Sequence, residues 1–234
     1  EAQAVASAIE RRVNSTSSYL RPGAALFPTL ARVSEPLFRH FVSELRLDTD
    51  YRGAEGIGWA SRVERSEIAA YNRELAKVYS PEAGLHPELA PGQPFAVPVT
   101  YLQPRTERNL RAIGFDMYSE PVRRAAMVEA ALAARPTASG KGVLMQEPLG
   151  NSSGFLIYMP VFEGRGAGRQ IKGFIYSPFN AQDSLAATVR LQAPEEVGVS
   201  LYDESVAPRN LLARIAPGRM GGPAVTLRMV VADH

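Results

Sequence analysis

No cysteine occurs among the 234 residues. Disulfides, thiolate metal sites and a cysteine nucleophile are therefore excluded. An oxidising compartment is not, because a chain of this length can bury a core that needs no crosslink. Histidine is scarce. His40, His86 and His234 have no ligand spacing and no Asp/Glu cluster accompanies them, so neither a metal nor any other cofactor is expected. An excess of one charge is also lacking. The formal net charge is +2, and a pI near 9.0 on so balanced a chain gives no reason to expect nucleic acid. The longest nearly unbroken apolar run, residues 155–162, falls far short of the roughly 18 residues of a membrane span. Lysine is limited to Lys77, Lys141 and Lys172 against 23 arginines, a bias that suggests a GC-rich bacterial genome.

What is present is ordinary globular composition, 45% hydrophobic and 21% charged, which excludes a disordered or collagenous chain. At roughly 150 residues per domain the length suggests one to two domains. An amphipathic pattern is already running at Glu1, with no signal peptide before it. Residues 225–231 read as a strand that stops just short of the end. The chain is thus expected to be part of a longer protein, with any membrane anchors outside it.

The first third reads as helical. Ala2, Val5, Ile9 and Val13 share one side. After an interruption expected at Pro22-Gly23, a second helix presents Phe38, Phe41, Val42 and Leu45 at the spacing of one buried face. Core packing and a dimerising stalk both explain these helices. Alternation over 57–63 suggests a strand, followed by a helix with Ile68, Tyr71, Leu75 and Val78 on one face. A Pro/Gly-rich loop over 81–94 comes next. Phe95, Val97, Val99 and Tyr101 then alternate as a second strand. Ser119 is expected to cap an Ala-rich helix with Pro121 in its first turn, ending before Pro136. Strands are expected over 142–146, 155–162 and 171–176, a helix over 181–191, and strands near 197–202, 211–215 and 225–231. Helices followed by antiparallel strands, twice over, give an α+β fold.

Three motifs could carry chemistry. Gly150-Asn151-Ser152-Ser153-Gly154 fits G-x-S-x-G, and a small serine hydrolase using Ser152 is one reading. That elbow needs a helix after the serine, whereas Phe155 to Tyr158 are strand formers, so a hairpin is preferred. Gly164 to Arg169 is Gly-rich and basic but opens no helix, and reads as a hairpin tip. Asp116, between Phe115 and Met117, is either a helix cap or a ligand anchor in a half-apolar pocket, since a carboxylate there is costly to desolvate without a partner.

Over residues 95–180 the segments Pro98-Val99-Thr100-Tyr101-Leu102-Gln103-Pro104, Gly114-Phe115-Asp116-Met117, Pro121-Val122-Arg123-Arg124-Ala125-Ala126, Gly140-Lys141-Gly142-Val143-Leu144 and Gly154-Phe155-Leu156-Ile157-Tyr158-Met159-Pro160-Val161-Phe162 follow in order. Gly173-Phe174-Ile175-Tyr176 closes the series, and Gly56-Ile57-Gly58-Trp59-Ala60 lies upstream. This series resembles the CHASE domain, the extracytoplasmic sensor of histidine kinases and nucleotide cyclases best known from plant cytokinin receptors. The resemblance implies a long N-terminal stalk helix and two PAS-like subdomains with antiparallel sheets. The stalk region falls on residues 1–50, a membrane-distal ligand-binding subdomain on 51–176 and a membrane-proximal one on 177–234. It further implies a periplasmic module between two transmembrane helices, a homodimer through the stalk, a small-molecule ligand of adenine-like type and no catalysis within the module. The adenine-anchoring aspartate falls on Asp116, and the Gly140-Lys141-Gly142-Val143-Leu144 segment places Leu144 beside the ligand. Tyr158 lies on the pocket floor, where the plant receptors have a threonine. Tyr101 and Met117 are expected as walls, and Asp116→Ala is expected to abolish binding with the fold intact. A protein-interaction module without a small ligand is the remaining alternative.

Overall fold

The computed structural model describes residues 2–45, 56–143, 153–164, 166–192, 198–203 and 205–216. Helices α1 (Ala2–Leu26) and α2 (Glu35–Glu44) come first. Strands β1 (Ile57–Ser61) and β2 (Val63–Glu64), helix α3 (Ile68–Val78), strands β3 (Phe95–Ala96) and β4 (Val99–Gln103), and the short helix α4 (Glu107–Leu110) follow. Helix α5 (Pro121–Ala133) leads to β5 (Thr137–Ala138), β6 (Gly142–Val143) and the long hairpin of β7 (Ser153–Glu163) and β8 (Gln170–Asn180). Helix α6 (Ala181–Gln192), β9 (Val199–Tyr202) and β10 (Leu211–Ile215) complete the described elements. This is a mixed α+β fold, an N-terminal helix followed by antiparallel sheets.

The main sheet runs β4-β1-β8-β7-β5, with β6 also on β7, and each pairing is antiparallel. Both of its faces are covered. Successive side chains of a strand point to opposite faces, and here they feed two separate cores. Ile57, Trp59, Phe155, Ile157, Val161, Ile175 and Phe179 join α1, α2 and α6 on one side. Ala60, Leu156, Tyr158, Phe174 and Tyr176 join Leu75 of α3 and Ala126, Met127 and Ala130 of α5 on the other. A strand buried on both faces reads as a nearly continuous apolar run, which is why residues 155–162 stood out.

Helix α1 does not stop at Pro22, as the sequence led us to expect; it runs through to Leu26. An interior proline removes one helical hydrogen bond and costs about 3 kcal/mol. Burial of the flanking residues offsets this. Leu20 and Phe27 are fully buried, and the space a Cβ on Gly23 would occupy is filled by Ile175 and Phe41. On the same side Val5 and Ile9 are buried against the chain's own core, as the core-packing alternative requires. The cap of α5 also differs from expectation. Glu120, not Ser119, accepts from the amides of Val122 (3.1 Å) and Arg123 (2.9 Å). The Ser119 hydroxyl instead donates to the Asp116 carbonyl. The helix ends with Ala134 at φ +52°, before Pro136 as expected. Asn180, the last residue of β8, caps α6 by accepting from Asp183 N–H at 3.0 Å. The expected strand over 225–231 lies outside the described residues, as do 144–146 of the expected strand over 142–146.

The expected second strand, 95–101, is split at Pro98, and its phase changes. Trp59 pairs with Tyr101 but Ala60 pairs with Val99, so Thr100 is an extra residue on β4, a β-bulge. A one-residue shift sends every following side chain to the other face. Val99 therefore faces the α3/α5 core and Tyr101 the α1/α2 core, where its ring stacks on Phe38 at 5.8 Å.

Phe27 closes the α1/α2 core, edge-on to Phe41 at 5.1 Å and to Trp59 at 5.3 Å. Phe27→Ala is expected to lower the unfolding free energy by about 3–5 kcal/mol, measurable as a reduced midpoint in urea with an unchanged slope.

Candidate functional site

The α3/α5 side of the sheet holds the polar chemistry. Asp116 sits on the segment between α4 and α5, clamped by backbone bonds on both sides. Its N–H donates to the His86 carbonyl at 2.7 Å, and Met117 N–H donates to Val97 at 3.1 Å. Gly114 makes the approach possible. Its φ is +87°, and a Cβ there would collide with the Gly84 carbonyl. The Asp116 side chain is 1% exposed. Oδ1 accepts from Val97 N–H at 2.8 Å and Tyr118 N–H at 3.0 Å, and Oδ2 from the Gln93 amide at 3.1 Å. The carboxylate thus caps the 3-10 turn at Met117–Ser119 and ties it to the Gln93–Val97 loop, a role close to the cap reading of this residue. Hydrogen bonds to a charged acceptor are the stronger kind.

Met117 and Tyr158 lie beside it, both fully buried, with the Tyr158 hydroxyl donating to Met117 Sδ at 3.5 Å. Asp116, Met117 and Tyr158 are therefore brought together. Tyr101 is not, because the β4 bulge turns it to the opposite face. Leu144 and Ser152 lie outside the described residues. The residues after Ser152 continue as the strand β7 rather than a helix, so the elbow of a serine hydrolase is not built. At the β7–β8 tip Arg169 lies 3.7 Å over the Phe162 ring. Among the described residues no group of His, Asp or Glu could hold a metal.

Several residues of the site were not anticipated. Tyr176 pairs across the hairpin with Tyr158, ring centroids 6.1 Å apart, and its ring covers Gly58 on β1. Tyr71 on α3 reaches Thr100 Oγ1 at 3.5 Å, and Tyr79 donates to the Thr100 carbonyl at 3.2 Å. Arg123 on α5 is 5% exposed, with its guanidinium 5.1 Å from the Phe115 ring centroid. The alternation of Phe174 and Tyr176 with Ile175 carried the signal for Tyr176. Nothing in the Pro/Gly-rich loop marked Gln93. The Tyr176 hydroxyl is buried without a hydrogen-bond partner among the described residues. An orphaned buried group of this kind costs about 1–3 kcal/mol.

Two predictions follow from this chemistry. Asp116→Ala leaves the amides of Val97 and Tyr118 without their acceptor, so the variant is expected to lose about 3 kcal/mol of stability, read from urea unfolding. Burial also pushes the hydroxyls of Tyr71, Tyr79, Tyr158 and Tyr176 above their ordinary pKa. In the unfolded chain tyrosines ionise near pH 10. Above that pH the unfolded state releases protons the folded state keeps, so stability is intact below about pH 10 and falls as pH rises beyond it. Phenolate absorbance is expected to appear together with loss of near-ultraviolet dichroism, not before it.

No described helix is long and apolar enough to cross a membrane. No curated protein matches the chain. The CHASE domain family matches residues 31–213, from the loop after α1 into β10. The match thus takes in the main sheet, the Asp116 segment and the β7–β8 hairpin, and leaves out α1. CHASE domains are extracytoplasmic sensor domains of signalling receptors and are not catalytic, and this chain belongs to that family.

Proposed function

We propose that this chain is the periplasmic ligand-sensing module of a bacterial membrane receptor, and that its ligand is a small molecule held on the α3/α5 side of the sheet. Residues 51–176 act as a distal PAS-like subdomain and 177–234 as a proximal one. The order of the main sheet, second-first-fifth-fourth-third when β1, β4, β5, β7 and β8 are counted in turn, supports the PAS-like reading. Asp116, Met117 and Tyr158 face the ligand, with Leu144 contributing from the neighbouring segment. Flanking transmembrane helices anchor the module, and the output is a histidine kinase or a diguanylate cyclase. Dimerisation uses the side of α1 that the core leaves exposed, which carries Ala4, Arg11, Ser18 and Ala25 at heptad spacing.

The observation that carries this reading is the set of ionisable side chains enclosed on the α3/α5 side of the sheet. A carboxylate, a guanidinium and the phenols of Tyr158 and Tyr176 are enclosed there, whereas the α1/α2 face of the same strands is lined chiefly by Ile, Val, Phe and Trp. Stability alone is served as well by apolar residues, and pockets that recognise ligands combine apolar walls with a few placed polar groups. A thermal-shift screen against adenine derivatives, amino acids, small organic acids and peptides tests it. A ligand at one hundred times its Kd is expected to stabilise the fold by about 2.7 kcal/mol, with the shift lost in Tyr158→Ala or Asp116→Asn. Shifts that persist in both variants would move the site elsewhere.

A further inference from the structure

Helix α5 has two apolar faces, and the fold uses one of them. Arg123, Ala126, Met127 and Ala130 are buried, and the last three join the α3/α5 core. At about 3.6 residues per turn the opposite side of the helix carries Pro121, Ala125, Val128 and Leu132, all exposed. Leu132 is 84% exposed and Val128 41%. Six large hydrophobic side chains are exposed among the described residues, and three of them, Val122, Val128 and Leu132, belong to this one helix. A single exposed apolar residue needs no explanation, but a row of them along one face marks a surface that something covers. A surface helix packed on one side is expected to be polar on the other.

The spacing of the row points to another helix as its cover. The steps from 121 to 125, 128 and 132 are those of alternate d and a positions of a heptad, the seam along which two helices pack. The drift between 3.6 and 3.5 residues per turn is only about 20° per heptad, so a short helix held by its own core presents such a seam without supercoiling. The charges beside the seam point to the partner. Arg124 lies on one flank, at g, and Glu129 on the other, at e, five residues later. We propose that the outward face of α5 is a self-association surface, covered by the same face of a second copy of this chain in parallel register. In a parallel pair about a two-fold axis each g position faces the e position of the following heptad. Arg124 of each copy then meets Glu129 of the other, so the ion pair forms twice. An antiparallel pair sets g on g and e on e, and gains no such contact. In the single chain Arg124 donates to the Tyr118 carbonyl at 3.2 Å and Glu129 lies 3.5 Å from Arg135. Exposed contacts of that kind hold a side chain weakly, so both groups can change partner. The surface lies across the main sheet from α1, and it rests neither on the ligand site nor on the α1 side proposed above.

The test follows the purified chain by sedimentation equilibrium from micromolar to millimolar concentration. The mass is expected to rise from that of one chain to that of two. Leu132→Lys is expected to weaken the association at least tenfold with an unchanged melting temperature, because so exposed a side chain contributes little to its own fold. Arg124→Glu and Glu129→Arg are each expected to weaken it at least fivefold, and the double exchange to restore it. The absence of native cysteine permits a second readout. Oxidation of Val128→Cys is expected to give a disulfide-linked dimer, and oxidation of Ala133→Cys, also exposed but off the seam, none. The mass of a single chain at every concentration would overturn the proposal and leave the face to a different protein. So would association indifferent to Leu132→Lys, the result expected of pairing through α1 alone. A double exchange no better than the single ones would overturn the parallel pairing, and the proposal with it. None of these outcomes bears on the distal site, which is tested by ligand binding.

Discussion

The β7–β8 hairpin is buried on both faces, and nearly every other feature of the molecule depends on that constraint. Eleven residues of each strand are available to pair, and each successive side chain must satisfy a different core. Two glycines allow the neighbouring strand to come close enough. A Cβ on Gly58 would meet the Tyr176 ring, and one on Gly173 would meet Trp59 and the Ala60 carbonyl. With those glycines in place, β1 can lie flat against β8 and still carry Trp59 into the α1/α2 core. A one-residue register slip would exchange the two cores completely, placing Tyr158 and Tyr176 among the Phe and Ile side chains of the helical face.

The same alternation decides which residues can form a site. The bulge at Thr100 is a single inserted residue, yet it places Tyr101 on Phe38 rather than beside Asp116. It also turns the Thr100 side chain to meet Ser61 and Tyr71. Chemistry and topology are thus linked at this point. The edge strand bends, one aromatic goes to the α1/α2 side, and a hydroxyl is delivered to the phenol-bearing side.

Much of the fold was legible because its signals are local. The apolar run of residues 155–162, the strand formers of 171–176, the helical spacing of Phe38, Phe41 and Val42, and the Pro136 stop all depend on nearest neighbours in the chain. What was not legible depended on distant partners. Pro22 is tolerated because Leu20 and Phe27 are buried against strands more than a hundred residues away. The cap of α5 is a local exception: Glu120 displaced Ser119 because the Ser119 hydroxyl donates to the Asp116 carbonyl three residues earlier. Of the candidate site, Asp116, Met117 and Tyr158 could be named from the sequence, but the division of labour between them could not. That division depends on which hydrogen bonds are already spent: the Tyr118 amide is the local cap partner that the sequence allowed, whereas the Val97 amide and the Gln93 side chain come from a loop that no sequence pattern marked.

The two-faced sheet also suggests how occupancy on one side could be read on the other. Tyr158 and Tyr176 face the proposed ligand. Their chain neighbours Ile157 and Ile175 belong to the core that also buries Val5, Ile9, Leu20 and Phe27. Interiors packed at crystal-like density pass displacement on instead of absorbing it. A change in the positions of the phenols therefore has a short mechanical route, one strand thick, to helix α1. Helix α6 follows directly from β8, is capped by Asn180 and packs on both α1 and β10. A second contact ties the phenol-bearing side to the C-terminal strands. Lys141, in the turn before β6, donates its N–H to Asp203 at 2.7 Å and its ammonium to the Arg209 carbonyl at 2.9 Å. Ligand-driven movement in the α3/α5 core would thus reach the end of the described chain by two routes, one through the sheet to α1 and α6 and one along its edge. A sensor that must pass its state toward a membrane needs such a connection, and an isolated binding pocket would not provide it.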